Sequence, residues 1–128
     1  MNGAVGDGDK YQEPANPFGW PSWYFAKKMS DLHTPGPSDI WVFSDEHPDS
    51  IDDALMYTCS SPVTTFIELP GSQHGGACGM AYADGHSEIH KWRGPVATQP
   101  VKFTTQQRIT FSITDPDMLF LALHTPQN

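Results

Sequence analysis

The sequence has few basic residues and no long hydrophobic run. Seven Lys and Arg residues stand against 15 Asp and Glu residues, which gives a formal net charge of −8. Nucleic acid and anionic membrane surfaces both need a basic patch on the protein, so neither is expected as a partner. No apolar stretch approaches the roughly 20 residues of a membrane-spanning helix. The sequence therefore predicts no membrane segment and no signal peptide, and cations are the natural counterpart of its charge.

Cysteine is scarce as well. The two cysteines, Cys59 and Cys78, are 19 positions apart, and no Cys-x-x-Cys pair is present. Zinc-ribbon and thioredoxin-like functions are therefore unsupported. Two states remain open for the pair: a disulfide, as expected in an exported protein, or two buried free thiols that behave as small apolar side chains.

Proline and glycine are abundant, with 12 and 11 residues, and they favour short strands and many turns over long helices. We expect an irregular arm over 1–21 and one globular domain over 22–128. Asp115 before Pro116 predicts the start of a terminal helix, and Ser22 predicts the start of a short helix ending at Leu32. Strands are predicted over 39–43, 64–69, 101–103 and 108–113. The predicted fold class is α+β, an antiparallel β-sheet with short flanking helices.

The stretch from Ala77 to Trp92 predicts a β-hairpin. Asp84-Gly85 is typical of a two-residue type I′ turn, in which both central residues have positive φ. That register places Ala81 opposite Glu88 and leaves the other face, with Met80 against Ile89, for the core. Three side chains then share a face whose cross-strand partners are all Ala or Gly: His86, Glu88 and His90.

Two imidazoles and a carboxylate on one strand face suit zinc or another transition metal. The alternative is a solvated polar face without a ligand. A second candidate metal site is the acidic segment 45–53, which suits calcium because its carboxylates are hard oxygen ligands. Here the alternative is an acidic turn. The five carboxylates of this segment are Asp45, Glu46, Asp49, Asp52 and Asp53.

A resemblance to a known family lies in the same region. His74, nine further residues and then Asp84-Gly85 form a pattern that resembles the motif of a bacterial family of prepilin-type, pseudopilin-like proteins of type II secretion. The stretches 41–53, 83–92 and 115–119 are similar to that family as well. The resemblance implies an extracellular or periplasmic domain whose sheet packs on a long hydrophobic N-terminal helix, and in some members a calcium ion bound in a surface loop.

This sequence departs from the family because the long N-terminal hydrophobic helix is missing. The chain is expected to be the C-terminal globular portion of such a protein, a truncated or internally started reading frame. One face of its sheet would then lack its cover and invite self-association.

Two main functions compete at this point, and a third, a polymer-binding module, rests only on the four tryptophans. The first is a secretion-associated, pseudopilin-like domain that a divalent cation stabilises, calcium in preference to zinc, and that engages other pseudopilin-like or secretion proteins or itself. The second is a small metal-dependent hydrolase of esters or lactones, with His74, Asp84 and His86 as catalytic residues beside the hairpin metal. The Gly-x-Ser-x-Gly motif of serine hydrolases is missing, so a serine nucleophile is not expected.

Overall fold

The structure is a computed structural model that describes residues 2, 5, 26–51, 56, 65–66, 68–104, 109–110, 112 and 114–126. The predicted arm over 1–21 is therefore described only at Asn2 and Val5, and three residues with predicted roles, Asp52, Asp53 and Cys59, lie outside the described residues. The first element is a short 3-10 helix, Met29–Asp31, and the last is the helix α1, Pro116–Leu123. Between them lie five strands: β1 (Trp41–Ser44), β2 (Thr65–Phe66), β3 (Ala77–Tyr82), β4 (Ser87–Lys91) and β5 (Ile109–Thr110).

Antiparallel pairing organises the strands. β3 lies between β1 and β4 in a three-stranded sheet, while β2 and β5 form a separate pair. A register shift between Trp41 and Phe43 marks a bulge in β1. On the outer side of β1, the Asn2 amide donates to the Val42 carbonyl at 2.8 Å, so part of the sheet edge is paired. The small α+β fold with an antiparallel sheet is thus confirmed.

The hairpin turn has three residues and not the two that were predicted. The Tyr82 amide donates to the His86 carbonyl at 2.9 Å, and the Gly85 amide donates to the Tyr82 carbonyl at 3.0 Å. Gly85 has φ +96°, whereas Asp84 has no positive φ. This is a type I turn closed by one left-handed glycine. The type I′ prediction was wrong because Asp84 takes ordinary turn geometry and only Gly85 takes the left-handed one.

The extra turn residue moves the strand register by one position. Glu88 lies opposite Met80 and His90 opposite Cys78, whereas Gly79 faces Ile89. A slip of one residue exchanges the two faces of a strand relative to its neighbour. The prediction that Met80 and Ile89 share a core face was therefore wrong: Met80 is buried, and Ile89 is exposed.

Helix α1 begins as its sequence predicts. The Asp115 side chain accepts hydrogen bonds from the amides of Asp117 and Met118, and Pro116 occupies the first turn, where no amide is needed. Asp117 is itself buried, and its carboxylate accepts hydrogen bonds from the amides of Arg93 and Gly94 at 2.8–3.2 Å. The helix start is thereby fastened to the chain that leaves β4.

Two other predicted elements differ from the structure. In the described part of the predicted 22–32 helix, only Met29–Asp31 is helical, because Ala26 forms a parallel bridge with Val5 and Lys28 is extended. The predicted strand over 101–103 is absent, because this segment bends around the Asp49 carboxylate.

The core lies between the sheet and α1. Its members include Trp41, Met80 and Trp92 from the sheet side and Met118 and Leu121 from α1. A smaller cluster of Ala26, Leu32 and Ile40 lies beside the hairpin turn. Among the described residues, no helix has the length and apolar character that crossing a bilayer requires.

We predict that Gly85→Ala lowers the free energy of unfolding by about 1 kcal/mol, because a Cβ is disfavoured at positive φ. Gly36→Ala is the matched control. An added Cβ meets nothing within 4 Å at either position, and only Gly85 has a positive φ. Urea denaturation of the two variants measures the difference. Equal stability of the two variants would contradict the assigned turn.

Candidate functional site

His86, Glu88 and His90 share one face of the hairpin as predicted. Their cross-strand neighbours are Tyr82, Met80 and Cys78, and not the predicted Ala and Gly residues. His86 stacks on Tyr82 with 4.3 Å between ring centroids and 5° between ring planes. Its Nδ1 lies 2.6 Å from Asp84 Oδ1, so the turn carboxylate and the imidazole form a local pair. Hydrogen bonds from the His86 amide and ring lower the pKa of Asp84.

Glu88 and His90 have separate surroundings further along the strand. The Tyr82 hydroxyl donates to Glu88 Oε1 at 2.7 Å. Burial, together with that hydrogen bond, raises the pKa of Tyr82. The His90 ring stacks on Phe120 of α1 at 3.7 Å, and its Nδ1 lies 3.9 Å from Glu88 Oε1. Its side chain is 17% exposed. His90 is therefore a packing residue between strand and helix.

His74 lies at the other end of β3 from the hairpin turn. Its Nε2 is 3.6 Å from Asp45 Oδ2, and the same oxygen accepts the Gly79 amide at 2.9 Å. The six residues of β3 separate His74 from Asp84 by roughly 20 Å of extended chain. The described residues thus do not assemble the predicted hydrolase site of His74, Asp84 and His86.

The described carboxylates of the acidic segment each have a different partner. Glu46 accepts from the Ser50 hydroxyl at 3.3 Å. Asp45 accepts from Gly79, and Asp49 accepts from the amides of Lys102 and Thr104 at 2.7 and 3.2 Å. Within the part of the chain that the structure describes, no three His, Cys, Asp or Glu side chains are grouped to hold a metal ion.

Two buried groups show how polar atoms are accommodated near these residues. His47 Nδ1 accepts the Asp49 amide at 3.2 Å, so Nε2 carries the proton and donates to the Gln99 carbonyl at 3.0 Å. Cys78 is a free and buried thiol, 3.5 Å from the Ser44 hydroxyl. Burial raises its pKa to about 11, which makes it unreactive as a thiolate.

The feature with the clearest capacity for binding is the sheet face turned away from the core. Phe43 on β1 lies opposite Ala81, and Ile89 on β4 lies opposite Gly79. Phe43 and Ile89 are 58% and 68% exposed. Small residues on the central strand between large ones on its neighbours form a trough of about 570 Å³ along β3. We call Phe43, Gly79, Ala81 and Ile89 the open sheet face.

Sequence reasoning missed this face because the predicted register placed the Ala and Gly residues of β3 opposite the polar side chains of the second strand. The signal was nevertheless present. From Ala77 to Tyr82, small residues alternate with larger ones, which indicates one shallow face and one core face. An exposed apolar surface beside a buried core is typical of a protein–protein contact.

We predict that thermal stability decreases as the pH falls below 6.5 and that His90 contributes to the decrease. Burial against Phe120 and Trp92 lowers the pKa of His90 from its ordinary value of 6.5, against the opposing charges of Glu88 and Asp117. The unfolded chain then binds the proton more readily, so stability is full above pH 6.5 and declines as the pH falls through the folded-state pKa.

His90→Phe keeps an aromatic ring against Phe120 and removes the titration. Its melting temperature should decrease less between pH 7.5 and pH 5 than that of the wild type. Ile51→Val, which changes an exposed side chain without adding or removing a titrating group, is the control and should keep the wild-type decrease. Equal pH dependence in His90→Phe and the wild type would contradict this assignment.

Comparisons with protein-family models, with curated proteins and with solved structures find no match to this chain. The functional evidence is therefore the geometry of the described residues, in which the open sheet face presents an accessible apolar surface.

Proposed function

We propose that this chain is a pseudopilin-like, secretion-associated domain that functions by binding other proteins through the open sheet face. The observation that carries the proposal is the exposure of Phe43 and Ile89 on either side of Gly79 and Ala81. The motif from His74 to Gly85 supports the family, and the family resemblance supports an extracellular or periplasmic location.

The shape of the open sheet face favours a helix as its occupant. Ala81 forms a floor that a rounded element can approach closely, and Phe43 and Ile89 contact it from the sides. The Asp45 carboxylate lies over Gly79, with Oδ2 3.3 Å from the position of an added Cβ. The face has no Lys or Arg among its four residues, and Asp45 and Glu88 also line the trough. An apolar helix of a prepilin-type partner would bury the two large side chains, each of which contributes about 1.5–3 kcal/mol when fully buried.

A photo-crosslinking amino acid in place of Ile89 tests this proposal in the producing cell. We expect covalent adducts with prepilin-type proteins, identified by mass spectrometry, and none from the same amino acid in place of the exposed Ser112. Adding Ala81→Arg should reduce the adducts at least about 10-fold, because a charge then occupies the apolar floor. Adducts that contain only copies of this chain, or equal adducts from both positions, would contradict the proposal.

Calcium belongs to the same proposal as a stabilising ligand of the acidic segment 45–53. Its five carboxylates and the net charge of −8 support this, because a bound cation reduces the repulsion between them. Millimolar calcium should raise the melting temperature by about 2–5 °C relative to chelator-treated protein. Magnesium at the same concentration is the control for ionic strength. Unchanged melting in calcium would contradict this part of the proposal.

A further inference from the structure

The two edges of the three-stranded sheet differ in how they are covered. At the β1 edge, the Asn2 amide donates to the Val42 carbonyl at 2.8 Å, so that edge is partly paired. At the other edge, no strand of the described chain pairs with the outer side of β4. Four of the five residues of β4 are exposed. A row of backbone N–H and C=O groups without partners is a template for the addition of another strand.

The pairing with β3 determines which backbone groups of β4 point outward. The Tyr82 amide donates to the His86 carbonyl at 2.9 Å, and the Trp92 amide donates to the Gly76 carbonyl at 3.0 Å. Because hydrogen-bonded and non-hydrogen-bonded pairs alternate along an antiparallel ladder, the even-numbered residues of β4 bond to β3. The odd-numbered residues direct their N–H and C=O groups away from β3, and they are Ser87, Ile89 and Lys91.

β4 lacks the features that usually protect an edge strand. It contains no proline, and its register with β3 runs without a bulge. Its acidic and basic side chains both bind within the same chain. The Tyr82 hydroxyl donates to Glu88 Oε1 at 2.7 Å, and Lys91 Nζ donates to the Gly75 carbonyl. Both charged groups are thus directed toward the β3 side of the strand and away from its outer edge.

The outer edge of β4 is complementary to itself when two copies pair antiparallel about Ile89. In that register, Ser87 lies opposite Lys91 of the other copy, and Ile89 lies opposite Ile89. Every outward N–H and C=O group of the strand then has a partner. Glu88 lies opposite His90 of the other copy, so no like charges face each other, and the two Ile89 side chains form an apolar cross-strand pair.

The neighbouring registers are less favourable. A slide of two residues toward the hairpin turn places Glu88 opposite Glu88 of the other copy, and like charges directly opposite are destabilising. A slide of two residues in the other direction places Ser87 opposite Arg93, whose amide already donates to the Asp117 carboxylate at 2.9 Å. Both slides leave outward groups of β4 without partners. Backbone geometry and charge therefore select the register about Ile89.

We propose that this chain forms a two-fold symmetric dimer in which the β4 strands pair antiparallel about Ile89. The occupant of the edge is thus a second copy, and two three-stranded sheets become one continuous sheet. The same surface is used on both copies, so association stops at the dimer. A short strand gives a small interface, so we expect a dissociation constant between about 10 µM and 1 mM. The Ile89 side chains stay on the open sheet face, and the dimer does not rest on the proposed function.

A charge swap at position 89 tests the register by sedimentation velocity. Ile89→Lys and Ile89→Glu each place like charges opposite each other at the two-fold axis, so each alone should weaken dimerisation at least about 5-fold. An equimolar mixture should recover dimers, because opposite charges then meet. Phe43→Lys is the matched control, since it changes the other large exposed side chain of the open sheet face. It should dimerise as the wild type does.

Nuclear magnetic resonance on a mixture of isotope-labelled and unlabelled wild-type chains locates the contact. We expect an Overhauser contact between the α-hydrogens of Glu88 and His90 of different copies, because opposite Cα atoms of a non-hydrogen-bonded pair lie about 4.5 Å apart. A wild type that is monomeric at 1 mM, a mixture of charge variants without dimers, or the absence of this contact would each overturn the proposal. So would an equal loss of dimers in Phe43→Lys, which would show association through the open sheet face.

Discussion

The left-handed backbone of Gly85 is the constraint on which the sheet depends. It closes a three-residue turn and so sets which residue of β4 lies opposite each residue of β3. With this register, Cys78, Met80 and Tyr82 face the core. The small residues between them face outward, and Ile89 goes with them. The core face and the open sheet face are therefore two consequences of one turn.

Carboxylates that bind backbone amides hold the loops in place. Asp45, Asp49, Asp115 and Asp117 all accept hydrogen bonds from main-chain N–H groups. A chain with short strands leaves many amides outside regular pairing, and an ionised acceptor satisfies them strongly. Many of the carboxylates in the described part of the chain thus serve as acceptors of backbone hydrogen bonds. The same contacts fix the exposed positions of His74, which pairs with Asp45, and of Phe103.

Short sequence motifs predicted the elements whose formation depends on neighbouring residues. Asp115 and Pro116 marked the start of α1, and the antiparallel α+β class followed from Gly, Pro and alternating residues. The face of each hairpin residue was not predictable in the same way, because Asp84-Gly85 is compatible with turns of two and three residues. Likewise, nothing local indicated that 101–103 would bend around Asp49, a residue more than 50 positions earlier. The separation of His74 from Asp84 follows from the strand between them.

The most direct test of this account is the accessibility of position 89. Ile89→Cys, in a background with Cys59→Ser, offers an introduced thiol on the open sheet face and the native Cys78 in the core. The account predicts that a thiol reagent labels position 89 at the rate of an unfolded peptide and labels Cys78 only when the protein unfolds. A protected thiol at position 89, with Cys78 still unreactive in the folded protein, would show the other register, in which residue 89 shares the core face with Met80, and would contradict the open sheet face.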